Sequence, residues 1–134
     1  MFESAMLRHE VSKEDYEREV ATLRTALLAA QRRLGAEQPF AVLILIAGVE
    51  GAGKSETVNL LNEWMDPRFI QTRGFALPND EEAAHPPMWR FWRALPPRGR
   101  IGIFFGAWHT APIVQRVAKK IGGAEYDRRV DEIL

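Results

Sequence analysis

Gly48-Val49-Glu50-Gly51-Ala52-Gly53-Lys54-Ser55 fits the pattern G-x-x-x-x-G-K-[ST], and the chemistry open to such a run is the binding of a phosphate chain. Several adjacent negative charges must be wrapped by converging backbone N–H groups. The glycines at 48, 51 and 53, with the small Ala52, allow close approach, and a helix N-terminus adds partial positive charge. Lys54 is predicted to reach the outer phosphates, and the Ser55 hydroxyl to ligate an accompanying magnesium ion. For Glu50 two roles stay open, a second anchor for magnesium or a hydrogen bond within the loop. The competing reading is a glycine-rich turn with a chance Lys-Ser. It is the poorer one, because a helix dipole repels a cation at its start unless an anion comes to join it.

Such a loop needs a strand before it and a helix after it. Phe40 to Ala47 is unbroken apolar sequence, which predicts a strand covered on both faces, as in a parallel sheet. A helix is predicted from Lys54 to Met65, with Leu60, Leu61, Trp64 and Met65 as its apolar side, ended by Asp66-Pro67. Upstream, Ser12 reads as the cap of an amphipathic helix over 12–34, with Tyr16, Val20, Leu23, Leu27, Ala30 and Leu34 on one face and Gly35 as its stop. Downstream, 68–76 reads as a second strand nearer an edge, 78–84 as a polar connection, and Pro86-Pro87 as the opening of a short helix reaching Ala94. Ile101 to Phe105 is a third strand, 113–121 a helix stopped by Gly122-Gly123, and 124–134 a helical tail. Strands alternating with helices specify an α/β domain with a parallel sheet. Three strands are few for such a sheet, so the fold reads as incomplete at its C-terminus, with 1–38 a helical extension and 39–134 a partial domain.

Totals narrow the class. The chain has 134 residues, room for one core. Lys plus Arg and Asp plus Glu stand at 18 each, so no net field draws it to nucleic acid. With no cysteine there are no disulfides, thiolate metal sites or thiol catalysis. No apolar run approaches the roughly 20 residues that cross a bilayer. Residues 1–10 lack the pattern of a signal peptide, so a cytoplasmic location without membrane attachment is the expectation.

Two further segments, Asn62-Glu63-Trp64-Met65-Asp66-Pro67-Arg68 and Trp89-Arg90-Phe91-Trp92-Arg93-Ala94-Leu95-Pro96, follow the loop in an order that resembles the polyphosphate kinase 2 family. The likeness runs from about residue 20 to about residue 120 and is greatest to the N-terminal half of tandem-domain polyphosphate:AMP phosphotransferases. It implies a P-loop kinase fold with a helical lid, acting with magnesium to move a phosphoryl group between inorganic polyphosphate and AMP or ADP. It also implies roles for residues. Arg90 takes the place of an arginine in a Q-R-Y-like segment, Arg73 lies near a phosphate-facing arginine, and Pro78 fits an A-L-x-x-P-like connection. Lys54, Glu50 and Arg90 would be the catalytic set on this basis, with Arg73 joining the loop in phosphate binding.

The chain departs from the family at two places. Glu50 stands where an aspartate is usual, and its extra methylene displaces the carboxylate. After the third strand the family carries F-D-R-S-W-Y-N-R, whereas this chain has Phe105-Gly106-Ala107-Trp108-His109-Thr110. Gly106 supplies no carboxylate for magnesium. Tandem enzymes have this degenerate pattern in the N-terminal half and their catalysis in the other. The alternative expectation is thus a catalytically degenerate domain with a structural or polyphosphate-binding role beside a catalytic partner; on either reading a homo-oligomer, or association with a catalytic homologous domain, is expected.

Other residues invite less specific readings. Arg93, Arg98 and Arg100 fit a cationic channel jointly, yet each alone is better read as solvated surface. Trp89, Phe91, Trp92 and Trp108 suit a core more than a base-stacking site. His109 has no nearby acid with which to make a metal site and reads as structural.

Overall fold

The computed structural model describes residues 10–48 and 50–133; the reading of the first nine residues lies outside them. Helix α1 spans Lys13–Glu37, and Ser12 caps it as the sequence indicates, its Oγ accepting from the Asp15 N–H at 3.0 Å. The helix runs past Gly35. It stops at Gln38, whose left-handed backbone (φ 49°) lets its N–H reach Leu34 O, because Pro39 cannot extend the helix.

Three strands follow, β1 (Val42–Ile46), β2 (Ile70–Gly74) and β3 (Ile101–Phe105), all parallel in the order β1-β3-β2. This order corrects the expected cover on β1. The strand sheathed on both sides is β3, where Ile103 and Phe104 have no exposed surface, whereas every residue of β1 is half-exposed on an edge. Helix α2 (Lys54–Trp64) leads from the loop back toward β2, with a short 3-10 turn at Pro67–Phe69. The remaining helices are α3 (Asp80–Ala83), α4 (Trp89–Trp92), α5 (Thr110–Val117) and α6 (Gly123–Asp131).

The pleat sorts the core into two layers. Val42, Ile44, Ile101, Ile103 and Ile70 meet Leu27 and Leu34 of α1 and Val58, Leu61 and Met65 of α2. On the other face Phe104 packs edge-on to Phe75, Phe75 meets Phe91, and Trp108 stands at right angles to Phe91. Gly102 belongs to this face because Pro96 lies on it; a Cβ there would sit 3.0 Å from the proline ring. Each fully buried Ile or Phe side chain stabilises the fold by roughly 1.5–3 kcal/mol. Leu60, expected on the apolar side of α2, remains 38% exposed.

One polar residue fastens the helical layer. Gln31 is buried on α1, donates Nε2 to Asp66 O at 2.9 Å and accepts the Asp66 N–H on Oε1 at 2.8 Å. Both backbone groups where α2 ends are thereby satisfied without water. Two downstream differences have plain causes. The polar connection contains α3, because Asn79 and Glu82 form a reciprocal capping box. Helix α5 starts earlier and finishes at Val117, before Lys119 takes a left-handed conformation (φ 56°).

Candidate functional site

The loop leaves β1 at Ala47 and turns into α2 through Gly51 (φ 79°) and Gly53 (φ 74°), a left-handed backbone that L side chains rarely adopt. Gly53 is the N-cap of α2 and has no side chain with which to cap it, so the amides of the first turn face outward without an acceptor from a capping side chain. Lys54 folds back across the loop. Its Nζ donates to Gly48 O at 2.9 Å and lies 6.0 Å from the centre of the Phe105 ring. Gly48 is closed in by its neighbours, since a Cβ there would approach Ala52 Cβ to 3.3 Å. Ser55, on the first turn of α2, and Glu50, on the loop, are both exposed, so two oxygen donors flank the amide-rich mouth. Thr57 fixes the cap from within, its Oγ1 and N–H each 3.0 Å from Gly53 O.

The arginines do not converge on this mouth. Arg73 is exposed on edge strand β2, in register with Phe104, so the pleat sets it on the face opposite α2. Arg90 has an 11% exposed side chain, with Nη2 3.3 Å from Glu82 Oε2 and its guanidinium 5.3 Å and 5.6 Å from the Phe75 and Phe91 rings. Its Nε is buried with no hydrogen-bond partner among the described residues. Arg93 lies over Trp89 at 4.5 Å, and Trp89 stacks on His85 at 3.9 Å. Arg100 lies over Phe69 at 4.5 Å and donates to Arg68 O at 2.7 Å.

Beside Arg90 opens a cleft of about 850 Å³ at the C-terminal ends of β2 and β3. Its walls are mainly apolar, from Phe75, Leu77, Met88, Phe91, Trp108 and Val114, and α6 closes one side with Arg128, Arg129 and Ile133. Every cation of the wall has an acid. Arg90 meets Glu82, Arg128 meets Glu125 and Glu132, and Arg129 meets Glu125 at 2.7 Å. The hydrogen bonds from Arg129 and Arg128 hold the Glu125 carboxyl below its usual pKa. The cleft is therefore apolar and internally neutral, suited to a flat, weakly charged group rather than a polyanion. Sequence reasoning missed it because its walls come from five separated segments. Only Asn79 and Glu82, at capping-box spacing, could have signalled how α3 would hold Arg90.

At the end of β3, Gly106 has φ 79°, its N–H donates to Ile46 O at 3.0 Å, and a Cβ would stand 3.4 Å from Phe75 O. Ala107 is buried, and its N–H donates to Thr110 Oγ1 at 3.1 Å. Among the described residues no three His, Cys, Asp or Glu side chains group to hold a metal, and no helix is long and apolar enough to cross a membrane.

Comparisons with known proteins agree with this geometry. The family model for polyphosphate kinase 2 matches residues 10–134. The chain is 54% identical to a polyphosphate:AMP phosphotransferase of Pseudomonas aeruginosa over 98% of its own length and 26% of that protein. It is 48% identical to the polyphosphate:AMP phosphotransferase of Pseudomonas syringae pv. tomato, again covering 26% of it. It thus spans about a quarter of the length of these curated relatives. A solved polyphosphate kinase 2 from Pseudomonas aeruginosa superposes with TM-score 0.92, at 54% identity over 98% of this chain and 28% of the other. One from Arthrobacter aurescens reaches 0.84 at 29% identity, over 92% of this chain and 45% of the other. Loop, parallel sheet and sequence match lead to one assignment: this chain belongs to the polyphosphate kinase 2 family.

Proposed function

We propose that the chain serves a polyphosphate-dependent nucleotide phosphotransferase, in which a phosphoryl group passes between inorganic polyphosphate and AMP or ADP. The observation that carries this reading is the uncapped first turn of α2, facing out beside Lys54 at the mouth of a glycine loop. Outward amides, a helix N-terminus and one mobile cation are what a phosphate chain requires. Gly48, Gly51, Ala52, Gly53 and Ser55 supply the backbone of the cradle, and Lys54 exchanges Gly48 O for a phosphate oxygen. Magnesium, bound with the phosphates, would neutralise charge on them. Ser55 and Glu50 are the exposed oxygen donors that would hold it. The neutral apolar cleft suits the nucleoside moiety, with Arg90 beneath it. Arg73 is a secondary phosphate contact along the sheet edge. We set the protein among cytoplasmic nucleotide pools.

A second reading is favoured by Gly106 and Ala107. With no carboxylate at the end of β3, the chain holds polyphosphate and leaves transfer to a homologous catalytic domain. Calorimetry with polyphosphate, together with a coupled ATP assay using polyphosphate and AMP or ADP, separates the two. Binding with turnover supports the first reading, and binding without turnover the second. Absence of binding to folded protein overturns both.

A further inference from the structure

The cleft beside Arg90 is apolar over most of its wall, so each polar atom that faces it counts. Glu82 lines it with a side chain 22% exposed. Its Oε2 is committed twice, accepting the Asn79 N–H at 3.1 Å and standing 3.3 Å from Arg90 Nη2. Its Oε1 accepts no hydrogen bond among the described residues. A carboxylate oxygen in an apolar wall is an acceptor that requires a donor. The pair is built within residues 79–90, by the capping box of α3 and the short reach to α4, so local structure fixes the carboxylate.

We propose that Glu82 selects the nucleobase, its Oε1 accepting the exocyclic amino group of adenine, and that Arg90 is a positioning residue for it. The inference rests on the reading of this cleft as the nucleoside site and adds to it a choice of base. Adenine has a flat apolar body, which Phe75, Met88, Phe91 and Trp108 can sheathe. Phe91 meets Phe75 at 4.7 Å and Trp108 at 5.7 Å between ring centres, so this wall is already packed. The exocyclic amino group is the one donor on the adenine ring, the other polar atoms being acceptors. A purine with a carbonyl at that position sets oxygen against oxygen and is disfavoured. Arg90 acts through Glu82. Its guanidinium, 11% exposed over the Phe75 and Phe91 rings, balances the carboxylate and keeps one of its oxygens engaged. The buried Nε, without a partner among the described residues, is the cost of that placement.

Calorimetry on the folded chain tests this with AMP, with purine riboside monophosphate, which lacks the amino group, and with IMP, which carries a carbonyl in its place. AMP binds roughly tenfold to a hundredfold more tightly than either analogue, the value of a hydrogen bond to a charged acceptor. Glu82→Gln retains a side chain able to complete the capping box and adds an amide donor, so the gap between AMP and IMP narrows. Arg90→Lys reduces the AMP preference too, whereas a purely structural role would weaken all three nucleotides alike. Circular dichroism verifies that both variants fold, and the native series decides the matter even where one does not. Equal affinities for the three nucleotides in the native chain overturn the choice of base and leave the nucleoside reading standing. An unchanged gap in folded Glu82→Gln overturns the role of Glu82 equally. No binding of any of the three overturns both the inference and the reading beneath it.

Discussion

Two strand ends lie side by side, at β1 and β3, and they have kept different things. Beyond β1 stands a glycine loop, with left-handed glycines, an uncapped helix and a lysine folded over it. Beyond β3 stands Gly106, left-handed and hydrogen-bonded to β1, with the buried Ala107 after it. On the function proposed above, the first end is the one that holds phosphate. The second joins strands and walls a cleft but brings no carboxylate to a metal. Binding and group transfer are separable demands on one sheet, and in the proposed function they fall to these two ends.

The comparison can be broken most forcefully from inside. Phe104→Ala empties the layer beneath the β3 end and is expected to cost about 3–5 kcal/mol by chemical denaturation. Polyphosphate affinity, measured where the variant is still folded, should be unchanged if the two ends act separately. Next in size, Lys54→Ala should weaken polyphosphate binding by roughly 1.5–3 kcal/mol in calorimetry, the value of a hydrogen bond to a charged group, while thermal stability barely moves. Gly106→Asp should lower stability by about 1 kcal/mol, because φ 79° burdens any residue with a Cβ and Phe75 O lies 3.4 Å from it. A variant of full stability that gains turnover would show that the β3 end lacks one side chain and nothing more.

The smallest effect concerns acid. The folded-state pKa of Glu125 is lowered by Arg129 and Arg128, so its contribution is present above its ordinary value of 4.5 and lost as pH falls through the folded value. Amide exchange in α6 should quicken below that range and the cleft wall loosen, with the phosphate loop little altered.

How much could be read from residues alone follows the same division. The loop and β3 are local. A motif at fixed spacing and five residues, Ile-Gly-Ile-Phe-Phe, carry their own signals, and both stand where the sequence set them. The side of the sheet that β1 would occupy is not local. Its apolar run reads as a strand covered on both faces, yet every residue of β1 is half-exposed, because cover depends on the elements packed beside a strand, which no window of residues contains. Gly35 looked like a helix stop, and the stop fell at Gln38 because Pro39 outweighed it. Through the family resemblance Arg90 reads as a member of the catalytic set. Its setting over two phenylalanines and against Glu82 depends on α3, whose cap lies in Asn79 and Glu82 within a segment that otherwise reads as polar connection.

Gln31 carries a last consequence. Helix α2 is a rod about 16 Å long, with the glycine loop at one tip and the two Gln31 hydrogen bonds at the other. Whatever grips α1 therefore also holds the far end of the lever on which Lys54 rides. Gln31→Leu would unclasp it, and altered phosphate affinity at such remove from the cradle would be mechanical transmission along the helix axis.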